Sequence, residues 1–481
     1  MRSTPLRLAL AACTTALLTS GCTGREAYED AFGIGWPKPE TDRAKSMATP
    51  NVRLLANVPT GTGTGGAFLG STYFQTSADT VWFTTASTQA VTGGLLAFDA
   101  SAPESPVVVG SLPIPHHENE DLTVSARRKL VVISQQPFRT NPEDPLSDYQ
   151  SGREYLVDVS VPSAMRLVGV VLLPAQVAKN AVRTFSGPGH TTTLVDHDQY
   201  LWVSGSRDGR VYVVDIRDLT APKVLGSFAS PAGRSTPTWT PGLVHDVDVD
   251  PFGDVWVTGS GGTAMYRLTK DPLRPTLVAA ITAADNLKAQ QFIHHGSQRL
   301  SRDEVLVTEE DYQAGCDGAE HQDGSLQTWR IDRAAKRLVE VGSYDAPRGE
   351  DASGPVSQLC SSHWFTVNSH RVVADAWYGA GVRFLDYRDP RHPRPIGVWR
   401  GDSTIASQAR FVPGRPDLVY VADYTRGLDV VQIDNGGVGA RTVSPKDERS
   451  TGAADVPGLR FPVRLHAHED FGWVCAVPSR G

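Results

Sequence analysis

The 481-residue chain has no run of basic residues and only five cysteines. After residue 22 no apolar stretch approaches the roughly 20 residues that a membrane-crossing helix needs. No convincing helical stripe of apolar residues occurs, and no serine sits between the glycines of a nucleophile turn. These absences exclude a polytopic helical membrane protein and an all-helical fold. A formal net charge of −7 gives no reason to expect nucleic acid as a partner.

What the chain does contain is a repeated cadence. "VYVVDIRDLTAPKVLGSF" (residues 211 to 228) is an apolar run ending in Asp, a Pro-containing turn and a second apolar run. It returns from Leu95, Tyr155, Leu326 and Val382, with weaker copies from Ala264 and Gly427, seven in all. The residue ending the first run is Asp99, Asp158, Asp215, Leu268, Asp332, Asp386 or Asp434, at intervals of 48 to 64 residues. Asp favours a turn there by bonding nearby main chain, and the following Pro fixes φ for the next strand.

Two more strand-like runs precede each copy, as in "HTTTLV" from His190 and "YLWVSG" from Tyr200. The expected fold is therefore all-β, a seven-bladed β-propeller of four-stranded antiparallel blades over residues 52–434. No fourth strand follows Asp434, while "VRLLANVP" from Val52 is a strand without a blade, so pairing the two predicts ring closure.

Residues 1–22 read as a secretory signal, with Arg2 and Arg7 before "LALAACTTALL" and "TSGC" ending at Cys22. Small residues before a Cys resemble a bacterial lipobox, although Thr19 stands where a branched apolar residue is usual. A plain signal peptide cleaved nearby is the alternative. The expectation is an exported chain, anchored through acylated Cys22 at the outer face of the bacterial cytoplasmic membrane. Residues 23–51 would form a polar tether and 435–481 a tail. Three thiols then remain, Cys316, Cys360 and Cys475. Cys316 and Cys360 are expected to pair, because both fall on one face of adjacent blades, with Cys475 the competitor.

Aligning the first strands brings His190, His245, His295 and His363 into one register in four consecutive blades. In the other three blades that register falls near Ser71, Asp121 and Gln408. A ring of imidazoles at the mouth of the axial channel would suit copper, iron, zinc or manganese, with His294 or the His116/His117 pair as substitutes. The opposing reading is structural histidine propagated by repetition, and the two stay open on sequence alone. Loops on the same face bring Glu309, Asp375, Trp377, Tyr378, Asp423, Tyr424 and Arg426 to the rim, which would suit a small polar ligand or a protein loop. Glu309, Asp375 and Asp423 could also orient metal ligands. "GTGTGG" from Gly61 lacks a βαβ context and reads as a loop leading into a strand.

Residues Val211 to Asp215, together with "CSSHWF" and "ADAWYGAGVRFLD", resemble bacterial LVIVD-repeat proteins. The resemblance spans the propeller and implies fold and export, since that family has no settled activity. Selenium-binding proteins, some of them copper-dependent thiol oxidases, are similar at greater distance. Their His-rich and Cys-containing motifs are not matched here, so their activity is not carried over. Two functions follow as expectations: a lipid-anchored recognition or scaffold protein working through its loop-rich face, or a His-ligated metal enzyme, in the first instance an oxidase.

Overall fold

The computed structural model describes residues 46–60, 62–78, 94–114, 122–135, 151–174, 188–237, 239, 241–289, 293–310, 324–346, 360–401, 404–424 and 426–451. Its strands form seven four-stranded antiparallel units, each running from an inner first strand to an outer fourth. The inner strands are Thr62–Leu69, Leu122–Ser125, Thr192–Val195, Val244–Val249, Ile293–Ser301, Phe365–Val367 and Ala406–Val412. Each contacts the next, and the last contacts the first, so the units close into a ring as blades 1 to 7.

Blade 3 shows why the sequence folds this way. Its third strand, Arg210–Asp215, alternates its side chains between two neighbours. Val211 and Val213 join the core shared with blade 4, whereas Tyr212 and Val214 join the core shared with blade 2. Both faces of every blade are covered, which is why the strands read as continuous apolar runs instead of alternating ones. The strand-ending aspartates cap the turns as expected. Asp99, Asp158, Asp215 and Asp386 each accept from the amide two residues on, at 2.9 to 3.0 Å.

Closure follows the expected route. Val52–Val58 pairs antiparallel with Gly427–Ile433 as the outer strand of blade 7. The ring domain reaches further at both ends than residues 52–434. Met47–Ala48 pairs with the outer strand of blade 6, and Arg449–Ser450 pairs with Met47–Ala48 in turn. Ala48 is buried there among residues that include Trp399, and covering an otherwise open sheet edge favours the addition. Residues 46–51 and 435–451 are thus parts of the fold rather than of a tether and a tail. "GTGTGG" lies largely within the inner strand of blade 1, Thr62–Leu69.

Candidate metal centre

A local irregularity aims the histidines. In blade 4 the pairing steps from Val244↔Gly259 to Asp246↔Thr258, leaving His245 as the extra residue of a β-bulge. In blade 5 it steps from His294↔Glu309 to Ser297↔Val307, placing His295 in a bulge. Such an insertion breaks the two-residue period and re-aims a side chain. Hydroxyls of the preceding blade hold these positions: Ser204 donates to the His245 carbonyl and Thr258 to the His295 carbonyl. Blade 6 is held from the other side, where His363 Nδ1 lies 2.6 Å from the Ser407 carbonyl.

The four histidines form a continuous buried arc. Ring centroids are 4.3 Å apart for His190 and His245, 4.4 Å for His245 and His295, and 4.2 Å for His295 and His363. A fifth group completes it. Glu310, fully buried at the end of strand Glu304–Glu310, places Oε2 3.8 Å from His245 Nε2 and 3.6 Å from His295 Nε2. Its Oε1 lies 3.7 Å from His363 Nε2 and accepts from the Tyr378 hydroxyl. Among the described residues, two three-ligand sets have donor atoms within 4.8 Å of one another: His190, His245, His295 and His295, Glu310, His363.

Of an adjacent carboxylate pair the sequence pointed to Glu309, as a rim or ligand-orienting group, and did not single out Glu310. Glu309 Oε2 takes a hydrogen bond from Gln327 at 3.2 Å, and Glu310 faces the histidines. Strand parity was the available signal. Val305 and Val307 share a core with blade 4, whereas Leu306, of Glu310's parity, packs toward blade 6 and hence toward Tyr378. His294 faces away from the arc, with Nδ1 2.8 Å from Thr263 Oγ1, and burial pushes its pKa down to about 3, so it is a neutral ring inside the wall. His116 and His117 lie outside the described residues.

The register in the remaining blades is also revised. Ser71 lies in the turn between Thr62–Leu69 and Thr72–Ala78, away from the bulge. The bulge residues of blades 1 and 7 are Thr64 with Gly65, and Ser407, the residue before Gln408. Ser407 donates to the Thr64 carbonyl, so this part of the ring is tied to itself. Asp121 lies outside the described residues.

The seven residues expected at the rim are buried. Asp375 Oδ2 accepts from Ser362 at 2.7 Å and from Trp377 Nε1 at 2.5 Å, and burial raises its carboxyl to about 8. Asp423 accepts from Thr404 and from the amides of Ile405 and Arg426. Arg426 forms a two-point pair with Asp429, at 2.7 and 3.1 Å. Tyr424 stacks on Tyr378 at 6.5 Å. Their partners are inside the fold because loops crossing the mouth must satisfy their own polar groups once water is excluded. Of this set Tyr378 lies against the ring of His363 in the histidine arc, and Asp375 interacts with the same residue. Cys360 is buried beside blade 6, while Cys316 and Cys22 lie outside the described residues.

No protein-family model matches the chain. Among solved structures it is similar to a periplasmic gluconolactonase of Pseudomonas aeruginosa, at 15% identity and a TM-score of 0.51, covering 83% of this chain and 95% of that one. A protein from Lactobacillus plantarum matches at 11% identity and a TM-score of 0.50, covering 83% of this chain and 96% of that one. At these identities the likeness carries the β-propeller fold and no more.

Proposed function

We propose that the chain is an exported metalloprotein that holds one transition-metal ion, copper, iron, zinc or manganese, in the buried arc of His190, His245, His295, His363 and Glu310, with His295 common to its overlapping ligand sets. Its reaction is metal-dependent chemistry on a small polar substrate, with oxidation the first class to test. What carries the reading is the spacing around Glu310. Its carboxylate stands 3.6 to 3.8 Å from three imidazole Nε2 atoms, beyond hydrogen-bond length. Two donors on one ion, each about 2.1 Å from it, sit roughly 3 to 3.6 Å apart, so a small cation fits with little movement. Imidazole and carboxylate together suit the metals named. The ligand set comes from one side of the ring, and blades 7 and 1 offer Ser407 and Thr64 already bonded together, which favours an open coordination position for substrate.

The test is metal analysis of protein purified from its native compartment, then uptake of copper, iron, zinc and manganese by the metal-free form. About one ion per chain is expected. A folded protein that contains none and takes up none would overturn the reading. A propeller bearing loops on one face is a binding framework in general terms. Recognition through that face has less support, because the residues proposed to form its rim are buried and internally bonded.

Export and anchoring belong to the same proposal and rest on the first 22 residues. Cys22→Ser should release the protein or leave an unprocessed precursor, and unchanged membrane fractionation would count against the anchor. In that oxidising compartment Cys316 and Cys360 are proposed to pair. Non-reducing peptide mapping that joined Cys475 to either would reject the pairing.

A further inference from the structure

Tyr378 occupies a position that few tyrosines would adopt. Its φ is +42°, a left-handed conformation that is costly for a bulky side chain and persists only where the surroundings impose it. Here they do. The Tyr378 amide donates to the Ala406 carbonyl at 3.2 Å and the Ala406 amide returns a bond at 3.0 Å, stitching the blade 6 loop to the inner strand of blade 7. Gly381 closes the same loop by donating to the Tyr378 carbonyl at 3.0 Å. A Cβ at Gly381 would meet the Trp399 carbonyl at 2.2 Å, so the turn requires glycine.

This backbone sends a fully buried side chain to the arc. The phenol ring lies against His363, with centroids 4.5 Å apart at 32°. Its hydroxyl bonds Glu310 Oε1, leaving Oε2 between His245 and His295. The two carboxylate oxygens therefore have different surroundings. We propose that Tyr378 is a positioning residue of the metal centre: by donating to Oε1 it orients Glu310 so that Oε2 alone is offered to the ion between His245 and His295. The inference rests on the metal reading above and adds to it how the carboxylate binds and which residue decides that.

Tyr378→Phe keeps the ring against His363 and removes only the hydroxyl. Zinc affinity is expected to fall about 10- to 100-fold, the usual effect of losing a group that orients a ligand. The visible bands of the cobalt(II)-loaded variant should shift in position and intensity, because a carboxylate free to turn changes the coordination. In a Glu310→Gln background the same substitution should alter affinity less than about twofold, since its effect passes through Glu310. An unchanged affinity and cobalt spectrum in Tyr378→Phe, or full additivity with Glu310→Gln, would overturn the proposal while leaving the metal reading intact. A wild type that binds neither zinc nor cobalt would overturn both. Should Tyr378→Phe not fold, a crystal structure of the zinc-loaded wild type decides: Glu310 bound through Oε2, with Tyr378 on Oε1, is expected. Coordination through both oxygens or neither rejects it.

Discussion

His363 donates its Nδ1 proton to the main-chain carbonyl of Ser407, 2.6 Å away in the next blade. A carbonyl can only accept, so the proton must be on Nδ1. In the neutral ring Nε2 then carries the lone pair, and it is Nε2 that faces Glu310, at 3.7 Å. The expected result is an Nδ1-protonated His363 in nitrogen-15 spectra of the metal-free protein. A neutral His363 protonated on Nε2 would contradict the arrangement and weaken its case as a ligand.

His295 belongs to both three-ligand sets, whereas His190 and His363 each belong to one. His295→Ala should therefore lose the most metal, to below about a tenth of wild type. His190→Ala and His363→Ala should bind more weakly yet fill at high metal concentration, with a smaller loss than His295→Ala because each belongs to one set. Each variant must first be shown folded by circular dichroism. Equal losses at all three positions would mean that the arc does not bind as two overlapping sets.

Glu154 is a candidate source of pH-dependent stability. It is fully buried, accepts from Ser134 at 3.0 Å, and burial pushes its carboxyl well above the ordinary 4.5. Between 4.5 and its raised value the folded chain holds a proton that the unfolded chain has released. The associated stability is present at low pH and is lost as pH rises through that window, by up to about 1.4 kcal/mol per pH unit. Urea unfolding from pH 5 to pH 8 should show Glu154→Gln with a shallower fall than wild type. Parallel curves would exclude Glu154 as the source.

Ring closure can be probed at Asn57. Its side chain donates to the Arg426 carbonyl at 2.9 Å and to Asp429 Oδ1 at 2.7 Å, joining the closing strand to the strand beside it. Asp429 also accepts from Arg426 and Trp399, so the substitution removes one of several bonds to a buried carboxylate. Asn57→Ala should destabilise by about 1 to 3 kcal/mol. Denaturant unfolding that showed no change would mean that this contact contributes little to closure.

The repeat was legible in the sequence because its cause is local. Apolar runs such as Arg210–Asp215, with an Asp and then a Pro, specify strand and turn within a few residues, and the order of blades follows chain order. The strands foreseen at Tyr200 to Gly205 and Val211 to Asp215 are found as Tyr200–Val203 and Arg210–Asp215. The shared histidine register was visible for the same reason, as was the lone strand at Val52.

What only the tertiary structure decided turns on single-residue differences. Adjacent residues of a strand face opposite ways, so choosing Glu310 over Glu309, or Ser407 over Gln408, needs the register and its bulges. Burial of Asp375, Asp423 and Arg426 likewise depends on how loops from neighbouring blades pack. The sequence by itself determined the strands, their order and four imidazoles at equivalent places. The packing of blade against blade decided which carboxylate and which phenol meet them, because those contacts join residues as far apart as Glu310 and Tyr378.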